Sequence, residues 1–439
     1  MKHTNVSRLL NPGVRPREVW GWALYDFANS GYTTVVITAV FAAYFVGAVA
    51  GGAPWATLLW TSGLSLSYLI VMLTMPGLGA MADRQARKKR LLAIMTLGCV
   101  VSTAMLAWVS PGDVWLGFVL LVLSNLFYSY GESLTAAFLP ELARPEAMGR
   151  ISGWGWALGY LGGMLTLGVC LAYVLGAQAR GEPAASFVPV TMLITAALYG
   201  LPSLLTFAWL REHAQRQAVD ARAFTQAWRE SLSQLRQTWQ DSRPYRDFRQ
   251  LMACAVAYQA GVAVAISLAA IYAEQVIGFA AQETMVLIFV LNIAAFLGAL
   301  LFGHVQDALG HKRTLAITIA GWILTCVLAA LSTSKGMFWW AAAVAGVCMG
   351  SSQSAGRAMA GLLVPTHRLA EFFGLWTFAI RLASIVGPLT YGLITWGTGG
   401  NHRLGILSTA VLFALGLWLL MPVQMARGQA QVRGLDRTV

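Results

Sequence analysis

Long apolar stretches alternate along the chain with short polar gaps, and a helix that crosses a bilayer needs about 20 mostly apolar residues. Twelve spans are predicted on that rule: 19–47, 57–80, 91–109, 114–140, 150–176, 187–210, 249–276, 284–304, 313–332, 338–363, 371–396 and 404–422. The gap 211–248 is far longer than the others, so the twelve divide into six and six. The expected organisation is a segment 1–18, a six-helix bundle 19–210, a linker 211–248, a second six-helix bundle 249–422 and a tail 423–439. In the linker, Phe224, Trp228, Leu232, Leu235 and Trp239 recur at spacings of three and four, while Arg222, Arg229, Arg236 and Arg243 recur every seven. That pattern predicts an amphipathic helix on the membrane surface, its arginines reaching the headgroups.

Composition agrees with the pattern. The chain is 57% hydrophobic and 11% charged, against roughly a quarter charged for a soluble domain. Of its 30 Lys and Arg residues, 25 fall in alternate gaps on one side of the spans and only 3 on the other. The positive-inside bias therefore places both termini in the cytoplasm of a multi-pass plasma (inner) membrane protein. The net charge of +12 is scattered among these gaps, so it reports topology and not a nucleic-acid partner. Five dispersed cysteines, histidines without ligand spacing and the absence of a Walker loop leave no metal site, cofactor or enzyme constellation.

The two halves resemble one another. Gly79-Ala80-Met81-Ala82-Asp83-Arg84-Gln85-Ala86-Arg87-Lys88-Lys89-Arg90 reads as a short basic loop between spans 2 and 3. A weaker copy, Gly303 to Arg313 with Asp307, lies 224 residues on (303 − 79). Pro140 and Pro365, each ending an even-numbered span, are 225 apart (365 − 140). Small residues recur at every fourth position in Gly155, Gly159 and Gly163, in Ala295, Ala299 and Gly303, and in Ala379, Ala383 and Gly387. Such faces let helices approach closely, and they are the expected moving seam.

Ionisable residues inside spans are costly, about 2.5–3.5 kcal/mol each on insertion scales, so each requires a partner or a wet cavity. Four stand out: Asp26 in span 1, Glu132 in span 4, Arg357 in span 10 and Arg381 in span 11. Glu132 and Arg357 are 225 apart (357 − 132), the repeat offset, so a pseudo-twofold axis would set them facing each other. A guanidinium suits a substrate carboxylate through two parallel donors, and a carboxylate suits an amine or a proton. The alternative is a permanent ion pair that holds the halves in register.

Twelve spans in two parallel repeats with the Gly79-x-x-x-Asp83-Arg84 loop resemble the major facilitator superfamily. Ala86 stands where that family usually has glycine, and Ala308 where a basic residue often follows the Asp. Trp22-Ala23-Leu24-Tyr25-Asp26-Phe27-Ala28-Asn29-Ser30-Gly31-Tyr32 resembles the opening signature of one branch, that of the fungal vacuolar amino-acid effluxers and their bacterial relatives. Phe138-Leu139-Pro140-Glu141-Leu142 followed by Gly149-Arg150-Ile151-Ser152-Gly153 fits the same branch.

The resemblance implies that spans 1, 4, 7 and 10 line a central cavity, adding Tyr25, Asn29, Tyr32, Tyr128, Tyr258 and Gln259 to Glu132, Arg357 and Arg381 as substrate-binding candidates. Asp26 and Glu132 become the candidates for proton coupling. It also implies a conformational latch of Gly79, Asp83, Arg84, Arg87, Glu141, Gly303 and Asp307, in which Asp83 faces the start of span 11 and Arg87 pairs with Glu141. The plainer reading is that these charges only enforce topology. The function expected is a secondary active transporter, symporter or antiporter, moving a small polar solute such as an amino acid by rocker-switch alternating access with a proton. Its partners would be that solute, protons and membrane lipids, and nothing in the sequence demands more than a monomer. The alternatives are an exporter or flippase of a larger amphiphile (peptide, drug or lipid), or a membrane sensor without transport.

Overall fold

The computed structural model describes residues 9–85, 87–144, 148–213, 223–364 and 369–436, almost entirely as helix. The long elements in chain order begin with α1 (Pro16–Tyr32), the short α2 (Phe41–Tyr44), α3 (Ala56–Gln85), α4 (Lys88–Met105), α5 (Val114–Ala136), the short α6 (Leu139–Leu142), α7 (Met148–Ala179) and α8 (Ala184–Trp209). The linker helix α9 (Ala223–Asp241) follows, then α10 (Arg246–Tyr272), α11 (Ala281–Leu309), α12 (His311–Leu331), α13 (Lys335–Leu362), α14 (Leu369–Gly397), α15 (His402–Leu420) and the tail helix α16 (Met425–Asp436). Apolar stretches of this length adopt helix because every backbone group is then satisfied within the segment. π-helical turns continue α1 over Thr33–Ala39, a run rich in β-branched residues, and continue α10 over Ala273–Ile277.

Among the described residues, eleven helices are long and apolar enough to cross a membrane. The helix α13 is 28 residues long, but Ser351, Ser352, Gln353, Ser354 and Arg357 make it more polar than the rest. The basic loop is shorter than its sequence implies. The helix α3 runs through Asp83 to Gln85 and α4 begins at Lys88, so only two residues separate them. In the second copy a single residue, Gly310 at φ +83°, separates α11 from α12.

The chain forms two units, one comprising 1–51 and 70–231, the other 52–69 and 232–439. In the first unit α1 packs on α7 and α8, and α4 on α5 and α8. In the second, α10 packs on α14 and α15, and α12 on α13 and α15. These are the same four pairings displaced by one half-chain. Individual contacts repeat with them. A side chain at Gly162 would collide with the Phe27 carbonyl of α1, and one at Gly387 with the Ala260 carbonyl of α10. The offsets are 225 (387 − 162) and 233 (260 − 27), so helix backbones touch at equivalent points in both units.

This packing changes the reading of the small-residue faces. Gly155, Gly159 and Gly163 of α7 lie against Asp26, Ser30 and Thr34 of α1 inside the first unit, and Gly387 lies against α10 inside the second. Small residues here seat one helix deeply on its neighbour within a unit, where the sequence pattern had predicted a moving seam.

Candidate functional site

In the first unit, α1 presents a polar line to α5 and its neighbours. Tyr25 is fully buried and its hydroxyl is hydrogen-bonded to those of Thr96 (3.1 Å) and Tyr199 (3.0 Å). One turn earlier, the Trp22 indole donates to the Thr135 carbonyl at 2.8 Å. Tyr32 meets the Ser124 hydroxyl at 2.8 Å and stacks on Tyr128 at 4.9 Å between centroids, while the Thr33 hydroxyl donates to that of Tyr128 at 2.8 Å. Two buried oxygens on this seam, Asn29 Oδ1 and Ser129 Oγ, have no hydrogen-bond partner among the described residues. That is a costly condition for a buried polar atom, so both are candidate ligand contacts. The Asp26 carboxylate is pressed against Gly155 beside the Trp22 ring. Glu132 lies half-buried near the end of α5.

In the second unit, Gln259 and Gln353 join α10 to α13 through hydrogen bonds of 2.9 and 3.1 Å, and the Gln259 amide also donates to the Tyr258 hydroxyl at 3.3 Å. Tyr258 is wholly buried, its hydroxyl lodged against Gly356, the residue before Arg357. The first unit has the same arrangement, with the Tyr25 hydroxyl against Gly131, the residue before Glu132. Arg357 itself is exposed. The Arg381 guanidinium lies 5.9 Å from the centre of the Tyr68 ring.

A charged cluster sits at the base of α5. The Lys88 ammonium is paired with Glu141 Oε1, both largely buried, and the His213 backbone N–H donates to the other Glu141 oxygen at 3.0 Å. The His213 ring then meets the buried Glu18 carboxylate at 2.7 Å. The chain at 9–11 runs alongside 142–144, with the Asn11 side-chain amide donating to the Glu141 carbonyl at 3.0 Å. In the second unit Arg427 of α16 grips the buried Asp247 carboxylate through two hydrogen bonds of 2.8 and 2.9 Å.

Membrane-embedded polar lines on two duplicated bundles are the anatomy of a transporter, and relatives agree. The family described as "Vacuole effluxer Atg22 like" matches residues 56–433. The chain belongs to this Atg22-like family. It is 28% identical over 405 residues to the MFS-type transporter YxiO of Bacillus subtilis, covering 91% of this chain and 93% of that protein. A 198-residue stretch is 29% identical to an ectoine/proline transporter of Corynebacterium glutamicum, covering 42% of this chain and 33% of that protein. Among solved structures, a D-xylose–proton symporter superposes with a TM-score of 0.66 at 15% identity, over 94% of this chain and 99% of that one. This Atg22-like chain is therefore a membrane transporter of the major facilitator type and not an enzyme.

One sequence expectation for the Atg22-like latch is corrected. Glu141 pairs with Lys88, and among the described residues no carboxylate pairs with Arg87. The register differs because Arg87 is the residue that precedes α4, outside its helical turns, and stands exposed, whereas Lys88 opens the helix and turns inward. The side chains of Asp83, Arg84 and Asp307, and the surroundings of Gly79 and Gly303, lie outside the described residues. So does Pro365. Sequence reasoning passed over Tyr68, Thr96, Tyr199 and His213. Each is a single polar residue whose partner is far away in the chain, whereas the repeat offset maps Gln353 of α13 onto Tyr128 of α5 (353 − 225).

Proposed function

We propose that the protein carries a small zwitterion, an amino acid or a compound of similar charge, across the plasma membrane by alternating access coupled to a proton. The observation that carries this reading is the segregation of charged residues between the helices of the two units. Asp26 and Glu132 belong to the first unit, and Arg357 and Arg381 to the second. A solute bearing both an ammonium and a carboxylate matches such a division, with the guanidinium supplying paired donors and a carboxylate supplying the proton site. The partial likeness to an ectoine/proline transporter supports the same solute class. Asn29, Tyr25 and Tyr128 in the first unit, and Tyr258 and Gln259 in the second, are the further candidate substrate contacts. In this reading α13 is span 10 and completes the set of twelve, both termini are cytoplasmic, and Asp83 joins the Lys88–Glu141 pair in a latch on the cytoplasmic side.

The test is uptake of a pool of labelled amino acids into liposomes holding the purified chain, with and without an inward proton gradient. Gradient-driven accumulation lost in Glu132→Gln and in Arg357→Ala is the expected result. Accumulation that survives both substitutions would reduce the two residues to structural roles. No accumulation by the unaltered chain would remove the amino-acid assignment and favour a larger amphiphile.

A further inference from the structure

Beside the charged cluster, and separate from the polar lines inside the units, α4 and α8 leave an open cavity of ≈ 480 Å³. Its lining is Arg87, Lys89, Arg90, Ala93, Phe207 and Glu212. The local chain path explains why three cations gather there. Glu212, just beyond the end of α8, accepts the backbone N–H groups of Lys88 at 2.7 Å and Lys89 at 3.3 Å and so fixes the first turn of α4. With that turn fixed, Lys88 points inward to Glu141, and Arg87, Lys89 and Arg90 line the open side. Among the described residues, no carboxylate pairs with any of these three side chains.

The same two helices continue away from the cavity as bare apolar wall. Leu97 of α4 is 65% exposed and Leu204 of α8 is 64% exposed, with Ile94 and Leu201 alongside them also exposed. Three cations against one carboxylate, that of Glu212, which is already engaged by the backbone N–H groups of Lys88 and Lys89, leave a cationic pocket above an apolar furrow between two helices, and this is the polarity of a phospholipid, anion at one end and acyl chain at the other. The duplicated position in the second unit lacks this character. There Lys312 and Arg313 lie in the first turn of α12, and the Lys312 ammonium is already bound to the Met421 carbonyl at 2.7 Å.

We propose that the α4–α8 furrow binds one anionic phospholipid of the adjoining leaflet, its phosphate held by Arg87, Lys89 and Arg90 and its chain lying along Leu97 and Leu204. A free phosphate compound shares only the headgroup chemistry and would leave the apolar wall unused.

The experiment is native mass spectrometry of the purified full chain, stripped of lipid and offered dioleoyl phosphatidylglycerol, dioleoyl phosphatidylcholine or glycerol 3-phosphate. The unaltered chain is expected to retain phosphatidylglycerol in preference to phosphatidylcholine, with glycerol 3-phosphate failing to displace it. Each basic residue beside an anionic headgroup strengthens binding about fivefold, so an Arg87→Gln, Lys89→Gln, Arg90→Gln triple variant should lose about 100-fold. A Lys312→Gln, Arg313→Gln variant should lose nothing. Ala93→Trp, which fills the cavity and leaves every charge in place, should also release the lipid, and it decides the matter if the triple variant does not accumulate. Equal retention of phosphatidylglycerol in the unaltered chain and in Ala93→Trp overturns the proposal, as does equal retention of the two lipids. Displacement by glycerol 3-phosphate would leave only a phosphate site and remove the lipid assignment.

Discussion

The side-chain amides of Gln259 and Gln353 bond to each other in both directions, at 2.9 and 3.1 Å, and so tie α10 to α13. Each is one half of the other's hydrogen-bonding complement, so the two substitutions are coupled. Gln353→Ala leaves the Gln259 carbonyl oxygen bare at membrane depth, at a cost of about 1–3 kcal/mol. The detergent-solubilised variant should therefore melt several degrees lower, whereas the Gln259→Leu, Gln353→Leu double variant should recover part of that loss, since both amides are removed and only the Tyr258 hydroxyl gives up a donor. A double variant less stable than Gln353→Ala would show that the pair is not an isolated unit.

Gly131 and Gly356 are expected to be intolerant of any side chain for one shared reason. A methyl group at either position meets a tyrosine hydroxyl, that of Tyr25 or of Tyr258. Overpacking of a tight core costs about 1–3 kcal/mol, so Gly131→Ala and Gly356→Ala should each lower the melting temperature and the yield of folded protein. The hydroxyl is the nearest obstacle, ahead of the ring carbon that bears it and of Trp376, and Tyr258→Phe should therefore recover part of the loss in Gly356→Ala. Purely additive losses would place the obstacle elsewhere, since contacting residues deviate from additivity. Tyr25→Phe should rescue Gly131→Ala less well, because it also gives up the hydrogen bonds to Thr96 and Tyr199.

These paired glycines show what the sequence made legible. Apolar runs marked helices of which eleven, among the described residues, are long and apolar enough to cross a membrane, and the offset of 225 that linked Pro140 to Pro365 recurs between Gly131 and Gly356 and between Gly162 and Gly387. Contacts made by helix packing were not legible. Nothing in the local sequence at Tyr68 announces Arg381, and nothing at His213 announces Glu18, 195 residues earlier (213 − 18). The Arg87 pairing failed by one residue because four consecutive basic residues, Arg87 to Arg90, look alike until the first turn of α4 decides which of them faces inward.

That decision is testable at Lys88 and Arg87. Lys88 and Glu141 keep only 5% and 15% of their side chains exposed. Removing one member of a buried pair strands the other charge and costs about 3–5 kcal/mol. Lys88→Met should therefore destabilise the chain severely, and Arg87→Met should leave its melting temperature within about a degree, exposed unpaired charges contributing under about 0.5 kcal/mol. Glu141→Gln should restore part of the stability lost in Lys88→Met. Equal effects of the two Met substitutions would return the pairing to an averaged basic cluster.

Arg381 is held differently, and its ring partner predicts a graded response. A guanidinium over an aromatic face gains about 0.5–1 kcal/mol where water reaches it and up to ~2 where it does not. Phenylalanine keeps that face and leucine does not. If Arg381 receives the substrate carboxylate, Tyr68→Phe should leave the apparent affinity in the liposome assay nearly unchanged, and Tyr68→Leu should weaken it about two- to fivefold by loosening the guanidinium. Arg381→Lys keeps the charge but loses the planar fork, and it should weaken affinity more than Tyr68→Leu, because paired donors and ring stacking vanish together. Full affinity in Arg381→Lys would mean that only the charge matters there, and that paired donation to a carboxylate is made by Arg357 or by no arginine at all.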